Sequence, residues 1–236
     1  QFIGQCVQSI LDQTLHDIEV IVVDDGSTDS TSSLLKSVSD SRFRYYRLDR
    51  NSGTVFAVNT GYLAASGEFI ANMDADDVAM PDRLERQYDF LARHSHITVV
   101  GSAMELFGEA SGLVVAPTND AQIKASFLSG AANIYNPTAM IRTSFLHQHQ
   151  LFCETELGGA FDWGFWVEIM RRGGVFANID IPLIRYRIHP DQQSRAMHLI
   201  RSELATVRCR ILDLFFPIMS SREKALLEPL LQWAQP

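Results

Sequence analysis

Apolar and polar positions along this chain alternate between two periods, one near 3.6 and one that is a continuous block. Residues 2–15 place Phe2, Ile3, Cys6, Val7, Ile10 and Leu11 on one helical stripe. "IEVIVV" (18–23) is an unbroken, β-branched run, the pattern of a strand buried on both faces. "DDGSTDSTSSLLKSV" supplies a turn, cap residues and a short helix. "FRYYRL" (43–48) predicts a strand, "SGTVFAVNTGYLAAS" a helix and "EFIANM" another strand. Pro81 suits the first position of a helix running to about His94, and "ITVVGSAMELF" (97–107) is a longer strand. Further on, helices are expected at 120–129, 161–172, 191–216 and 221–234, the last ending near Trp233. Strands are expected at 137–142, 175–180 and 183–189.

Alternating strands and helices predict an α/β fold, a mostly parallel sheet covered by helices on both faces. Residues 1–190 are expected to form the main domain, with a regular part over 1–108 and a looser part over 109–190 that completes one site. A helical extension follows over 191–236. Such a domain usually opens on a strand, whereas this sequence opens on a helix, so a first strand is expected to be missing.

Composition narrows the function without naming it. The 236 residues are 46% hydrophobic and 20% charged, which suits a globular core, and the formal net charge is -8. Nucleic-acid binders carry a basic footprint, and none is present. The three cysteines, Cys6, Cys153 and Cys209, are scattered without CxxC spacing, which points to a reducing compartment. No apolar run reaches membrane-spanning length, and a cytoplasmic location follows. The apolar stretches "LDLFFPIM" and "ALLEPLLQW" offer a peripheral contact with the inner face of a membrane, although packing onto the domain is the favoured reading.

The chemistry concentrates at two strand ends. Asp24 and Asp25 follow "IEVIVV", and Asp74, Asp76 and Asp77 follow "EFIANM". Ligands of open parallel sheets bind outside the carboxyl ends of the strands. A pair of like charges ~4 Å apart costs about 4 kcal/mol at an effective dielectric of 20. Mg2+ or Mn2+ removes that cost, because both favour carboxylate oxygens and bridge to phosphates. Taken singly, each aspartate reads as a cap or turn residue. Two clusters at equivalent positions favour a site.

"SILDQTLHDIEVIVVDDGSTDST", "NSGTVFAVNTGYLAASGEFIANMDADD" and "MPDRL" resemble the inverting nucleotide-sugar glycosyltransferases of family two, which have the GT-A fold. The likeness resumes at "GGAFDWGFWVEIMRRGG" and "IPLIRYRIHPDQQS". It implies a transfer of sugar from a UDP-sugar or other nucleoside-diphosphate sugar to a hydroxyl of a glycan or lipid-linked acceptor, in cell-surface polysaccharide synthesis. It gives Asp25 a contact with the base of the nucleotide, supported by Asp24, with Asn51 and Gly53 shaping the loop beneath. Asp74 and Asp76 become the DxD pair, with Asp76 and His189 at a Mn2+ or Mg2+ ion and Asp77 a ligand, cap or sugar contact. Asp162 takes the general base's place. Phe161 and Gly164 stand where acids are common, which leaves a non-catalytic nucleotide-sugar-binding module as an alternative. A nucleotidyltransferase is a second alternative, although no basic Gly-rich loop is visible. Apolar surroundings at Phe161, Trp163 and Trp166 should raise the pKa of Asp162. The segment "NIYNPTAMIR" is expected in the acceptor groove.

Overall fold

The structure is a computed structural model that describes residues 2–129, 133–192 and 200–231. Helix α1 (Ile3–Leu11) leads into strand β1 (Val20–Asp24), helix α2 (Thr31–Lys36), strand β2 (Phe43–Arg47) and helix α3 (Thr54–Ala64). Strand β3 (Phe69–Ala71) ends in the acidic turn and is followed by the two-residue strand β4 (Val78–Ala79). Helix α4 (Arg83–Arg93), strand β5 (Val99–Gly108), strand β6 (Gly112–Val114) and helix α5 (Asp120–Ser129) come next. Strand β7 (Met140–Arg142), helix α6 (Thr143–His149), helix α7 (Phe161–Arg171) and strand β8 (Phe176–Ile188) complete the main body. Helices α8 (Arg201–Phe215) and α9 (Ser221–Leu227) follow.

The fold is α/β with helices around the sheet, but the sheet is mixed rather than mostly parallel. β1 and β2 form a parallel pair of their own. The larger sheet runs β3-β7-β5-β8-β4, with β6 added to β5, and only its β5–β8 ladder is parallel. Antiparallel pairing of β3 with β7 and of β4 with β8 joins strands of two or three residues. Strands that short carry no periodic signal, so their direction could not be read from the sequence. β8 also unites the two strands expected at 175–180 and 183–189. A register shift opposite Ser102–Met104 absorbs the exposed Ile181 and the ring of Pro182. Pro81 lies in the turn before α4 instead of at its first position, which Arg83 takes.

The core lies between α3, α5, α7, β5 and β8. Trp166, Phe127, Ile123, Ile169 and Phe176 are almost wholly buried there. α8 belongs to the same core through Leu204, Val207 and Ile211. Each such side chain contributes about 1.5–3 kcal/mol by burial. The favoured expectation for the tail, packing onto the domain, therefore holds for α8. Trp233 and residues 193–199 of the expected tail helices lie outside the described residues. Among the described residues no helix is long and apolar enough to cross a membrane.

Candidate active site

The first acidic group is a loop scaffold. Asp24, only 4% exposed at the end of β1, accepts hydrogen bonds from Ser27 N (2.7 Å) and Tyr45 Oη (2.6 Å), and pairs with Arg47 (3.1 Å). Burial works against its charge, but these donors outweigh it and hold the carboxyl below its ordinary range. Asp25 takes the backbone N–H groups of Ser52 and Gly53, at 2.6 and 2.8 Å on its two oxygens. Gly26, at φ 72°, lies so close to the next loop that a Cβ would meet the Arg50 carbonyl carbon and Asn51 N at 2.8 Å. Asp25, Gly26, Asn51 and Gly53 thus form one pinned pair of loops at the start of α3. Beside Gly53 an open cleft of about 290 Å³ runs to Thr155 and Gly158.

The second group is built differently. A tight turn, closed by Asp77 N donating to Asp74 O, follows β3. It brings one carboxylate oxygen from each of Asp74, Asp76 and Asp77 within 4.8 Å of one another. β8 approaches from the side: His189 Nε2 lies 2.9 Å from Asp76 Oδ2, and Arg187 N donates to Asp77 Oδ1 at 2.8 Å. Arg187 Nε also donates to the Asp76 carbonyl at 2.7 Å, while its guanidinium lies between the rings of Phe2 and Phe107. Asp77 is therefore tied to β8 and does not cap α4. Its other oxygen is buried and has no hydrogen-bond partner.

Burial, reinforced by the neighbouring acids, pushes Asp74 up to about 7 and Asp77 up to about 8. Burial and the same acids push the Cys6 thiol, which donates to the Asp74 carbonyl, up to about 12. Three crowded oxygen donors, one of them with a buried oxygen left unpaired, fit a hard divalent cation such as Mg2+ or Mn2+. His189 Nε2 stands on Asp76 Oδ2, where it is placed to offer such a cation a nitrogen donor or to orient that carboxylate. Asp74, Asp76 and His189, all expected at the ion, lie together here, and of the three roles expected for Asp77 the geometry excludes the cap and leaves it beside the other two carboxylates.

Asp162 sits in the first turn of α7 and accepts from Trp163 N at 2.8 Å. Burial pushes it up to about 6, and its charge in turn raises Asp74. Asn136, from "NIYNPTAMIR", reaches Asp74 from another side. Asn72 Nδ2 donates to Asn136 Oδ1 at 2.8 Å, and Asn136 in turn hydrogen-bonds Asp74. The departures at 161 and 164 have packing causes. Phe161 is 7% exposed in the main core, and a Cβ on Gly164 would stand 2.1 Å from Leu157 Cδ1.

Sequence reasoning missed two arginines. Arg187 lies in "RYRIHP" beside the histidine that drew attention. Arg83 opens α4 and is 0% exposed, with Nη2 donating to Asn72 O (2.7 Å), Nε to Gln87 Oε1 (3.0 Å) and Nη1 against Met73 Sδ (3.1 Å).

An α/β fold with clustered carboxylates beyond its strand ends is the architecture of the GT-A nucleotide-sugar enzymes, and the structural neighbours have that fold. S. aureus TarS 1-349 in complex with UDP-GlcNAc superposes with a TM-score of 0.74 at 19% identity, over 98% of this chain and 67% of that one. The mannosyltransferase PcManGT from Pyrobaculum calidifontis, in complex with GDP-Man and Mn2+, gives 0.67 at 17%, over 98% and 64%. A family model described as Glycosyl transferase family 2 matches residues 1–149, and the chain belongs to that family. An uncharacterized glycosyltransferase of Haemophilus influenzae is 33% identical over 87% of this chain and 67% of its own length. The amylovoran biosynthesis glycosyltransferase AmsE of Erwinia amylovora is 26% identical, over 88% and 79%. This chain thus spans about two thirds to four fifths of these proteins.

Proposed function

We propose that the protein transfers a sugar, with inversion, from a UDP-sugar to a hydroxyl of a glycan or lipid-linked acceptor in cell-surface polysaccharide synthesis. The observation that carries the reading is the convergence of Asp74, Asp76, Asp77 and His189 beside Asp162. Asp25, Asn51 and Gly53 hold the base and ribose side of the donor on their pinned loops, with Asp24 as the buried brace. Asp74, Asp76 and Asp77, with His189, would hold a Mn2+ or Mg2+ ion. When bound, that ion neutralises the diphosphate that leaves. Asp162 accepts the proton of the acceptor hydroxyl as its oxygen bonds to the anomeric carbon, and the bond from that carbon to the diphosphate oxygen breaks on the opposite face.

A base near pH 6 is well matched to this work, since it is ionised at neutral pH and retains proton affinity. Phe161 and Gly164 are packed positions, so the base role rests on Asp162 alone, and UDP binding without turnover would favour the non-catalytic module. Family membership, with no basic Gly-rich loop, leaves nothing to favour a nucleotidyltransferase. Peripheral membrane contact belongs to the same proposal. Phe216, Ile218 (97% exposed) and Leu226 beyond the core-packed face of α8 are the apolar surface it would use.

The test is a panel of UDP-, GDP- and dTDP-sugars with Mn2+, scored by release of the nucleoside diphosphate. Turnover of one UDP-sugar, abolished in Asp162→Asn with nucleotide binding retained, is expected. Wild-type turnover in Asp162→Asn would remove Asp162 from the base role, and no turnover of any donor, with or without candidate acceptors, would sink the transferase reading.

A further inference from the structure

Arg83 is an anomaly in three respects. It is wholly buried, it makes no ion pair among the described residues, and it stands at the first position of α4. A cation there opposes the helix dipole, which favours negative charge at that end. A buried charge without compensation is costly. Its hydrogen bonds go to neutral groups: Asn72 O, Gln87 Oε1 and Met73 Sδ. Gln87 is itself buried and spent on Val100 O and Thr138 O, so the guanidinium is held rigidly. Asn72 and Met73 are the two residues immediately before Asp74. The fork is therefore clamped to the backbone that leads into the acidic turn, and among the described residues the acidic groups it faces are Cys6, Asp77 and Asp74.

We propose that Arg83 is the fixed counter-charge of the acidic turn, positioned to make divalent-cation binding depend on the diphosphate. Asp74, Asp76, Asp77 and the neighbouring Asp162 carry four negative charges when ionised, and Arg187, on the Asp76 carbonyl, together with Arg83 reduces the local sum to minus two. A divalent ion then brings the site to neutrality, and an anionic diphosphate meets no repulsion. Without Arg83 the loaded site would keep one negative charge. It would hold the bare ion more tightly and reject the diphosphate. This inference rests on the reading that the acidic turn holds a divalent cation.

The experiment compares wild type, Arg83→Gln and Arg83→Lys by calorimetric titration with Mn2+ alone, and then with UDP at saturating Mn2+. Thermal melts confirm the fold of each. For Arg83→Gln, bare Mn2+ should bind about tenfold tighter and UDP about tenfold weaker, the scale of one charge acting across a few ångströms. Arg83→Lys keeps the charge and should stay within about threefold of wild type on both counts. A merely structural arginine predicts weaker binding of both ligands in both variants, and that outcome overturns the proposal. If Arg83→Gln does not fold, a folded Arg83→Lys decides: losing both ligands sinks the charge account, keeping both sustains it. Wild-type protein that takes up no Mn2+, with or without UDP, overturns the cation reading as well. Wild-type uptake without the opposite shifts in Arg83→Gln overturns this inference alone.

Discussion

Two groups of aspartates occupy equivalent places at the ends of β1 and β3, and their surroundings are opposites. Asp24 and Asp25 are fully furnished with donors: a hydroxyl, an arginine and three backbone N–H groups. Asp77 is buried and Asp74 half-buried among other acids, both are pushed above the ordinary carboxylate range, and Asp77 leaves one buried oxygen unpaired. The first arrangement stabilises the folded chain by holding two loops together. The second strains it until something positive arrives. Spacing alone treats the two alike. What separates them is the supply of partners, which divides a brace from a ligand site.

The sharpest way to test that division is Asp162, which belongs by its surroundings with the second group. Asp162→Asn should lower turnover on the order of 10³-fold, the scale of general-base loss. Its folded pKa, near 6, lies above the ordinary 3.8, so the folded chain binds the proton more tightly than the unfolded one. Between those values the native state holds more protons, and stability falls as pH rises through the window. Asparagine carries no such dependence. The inactive variant should therefore melt higher than wild type at pH 8 and equal to it at pH 4, as followed by calorimetry. Equal melting curves at both values would place Asp162 in a solvated setting.

Next in size is Asp76→Asn. It should weaken Mn2+-dependent UDP binding at least by the roughly 10–100-fold that loss of a supporting partner costs. Its melting temperature without metal should not fall, since removing a charge from a crowded turn relieves repulsion. A large drop in stability would make Asp76 a brace like Asp24.

Much of this was legible before any coordinates. The α/β alternation showed because α1, β1, α4 and β5 are long or strongly patterned. The acidic turn showed because DADD is conspicuous after an apolar strand. β4, β6 and α6 did not show, because their existence depends on partners far along the chain, as in the pairing of Val78 with Arg185. The distinction between the two acid groups was equally hidden, since donors such as Tyr45, Ser52 and Arg187 reach them from other elements. Arg83 left a faint trace. A basic residue in the first turn of a helix defies the dipole, and that mismatch alone could have marked "MPDRL" as more than a helix start. The substitutions at 161 and 164 looked like lost chemistry because their packing partners, Leu157 and the main core, are not sequence neighbours.

On the braced side, Asp24→Asn should cost about 2–3 kcal/mol, measured by urea denaturation, because an amide can present only one acceptor to three donors. Its pH signature is the reverse of that of Asp162. The folded pKa of Asp24 is depressed, so its contribution is complete above 3.8 and is lost as pH falls through the lower folded value. Asp25→Asn is a smaller change. It weakens the hold on Ser52 and Gly53 and should lower UDP affinity about tenfold, the effect of roughly 1.4 kcal/mol.

The smallest effect tests whether the brace works as a network or through one bond. Tyr45→Phe removes the hydroxyl that donates to Asp24 Oδ2, and that also lies 3.1 Å from Ser32 Oγ. Arg47 and Ser27 still reach the carboxylate, so its charge stays compensated and buried. The loss should be close to one ordinary hydrogen bond, about 1 kcal/mol, with UDP affinity unchanged. Combining it with Arg47→Met separates the alternatives. If each donor acts alone the two costs add, whereas a shared network gives a double variant at least about 1 kcal/mol worse than the sum, because Asp24 is then left buried with Ser27 N alone.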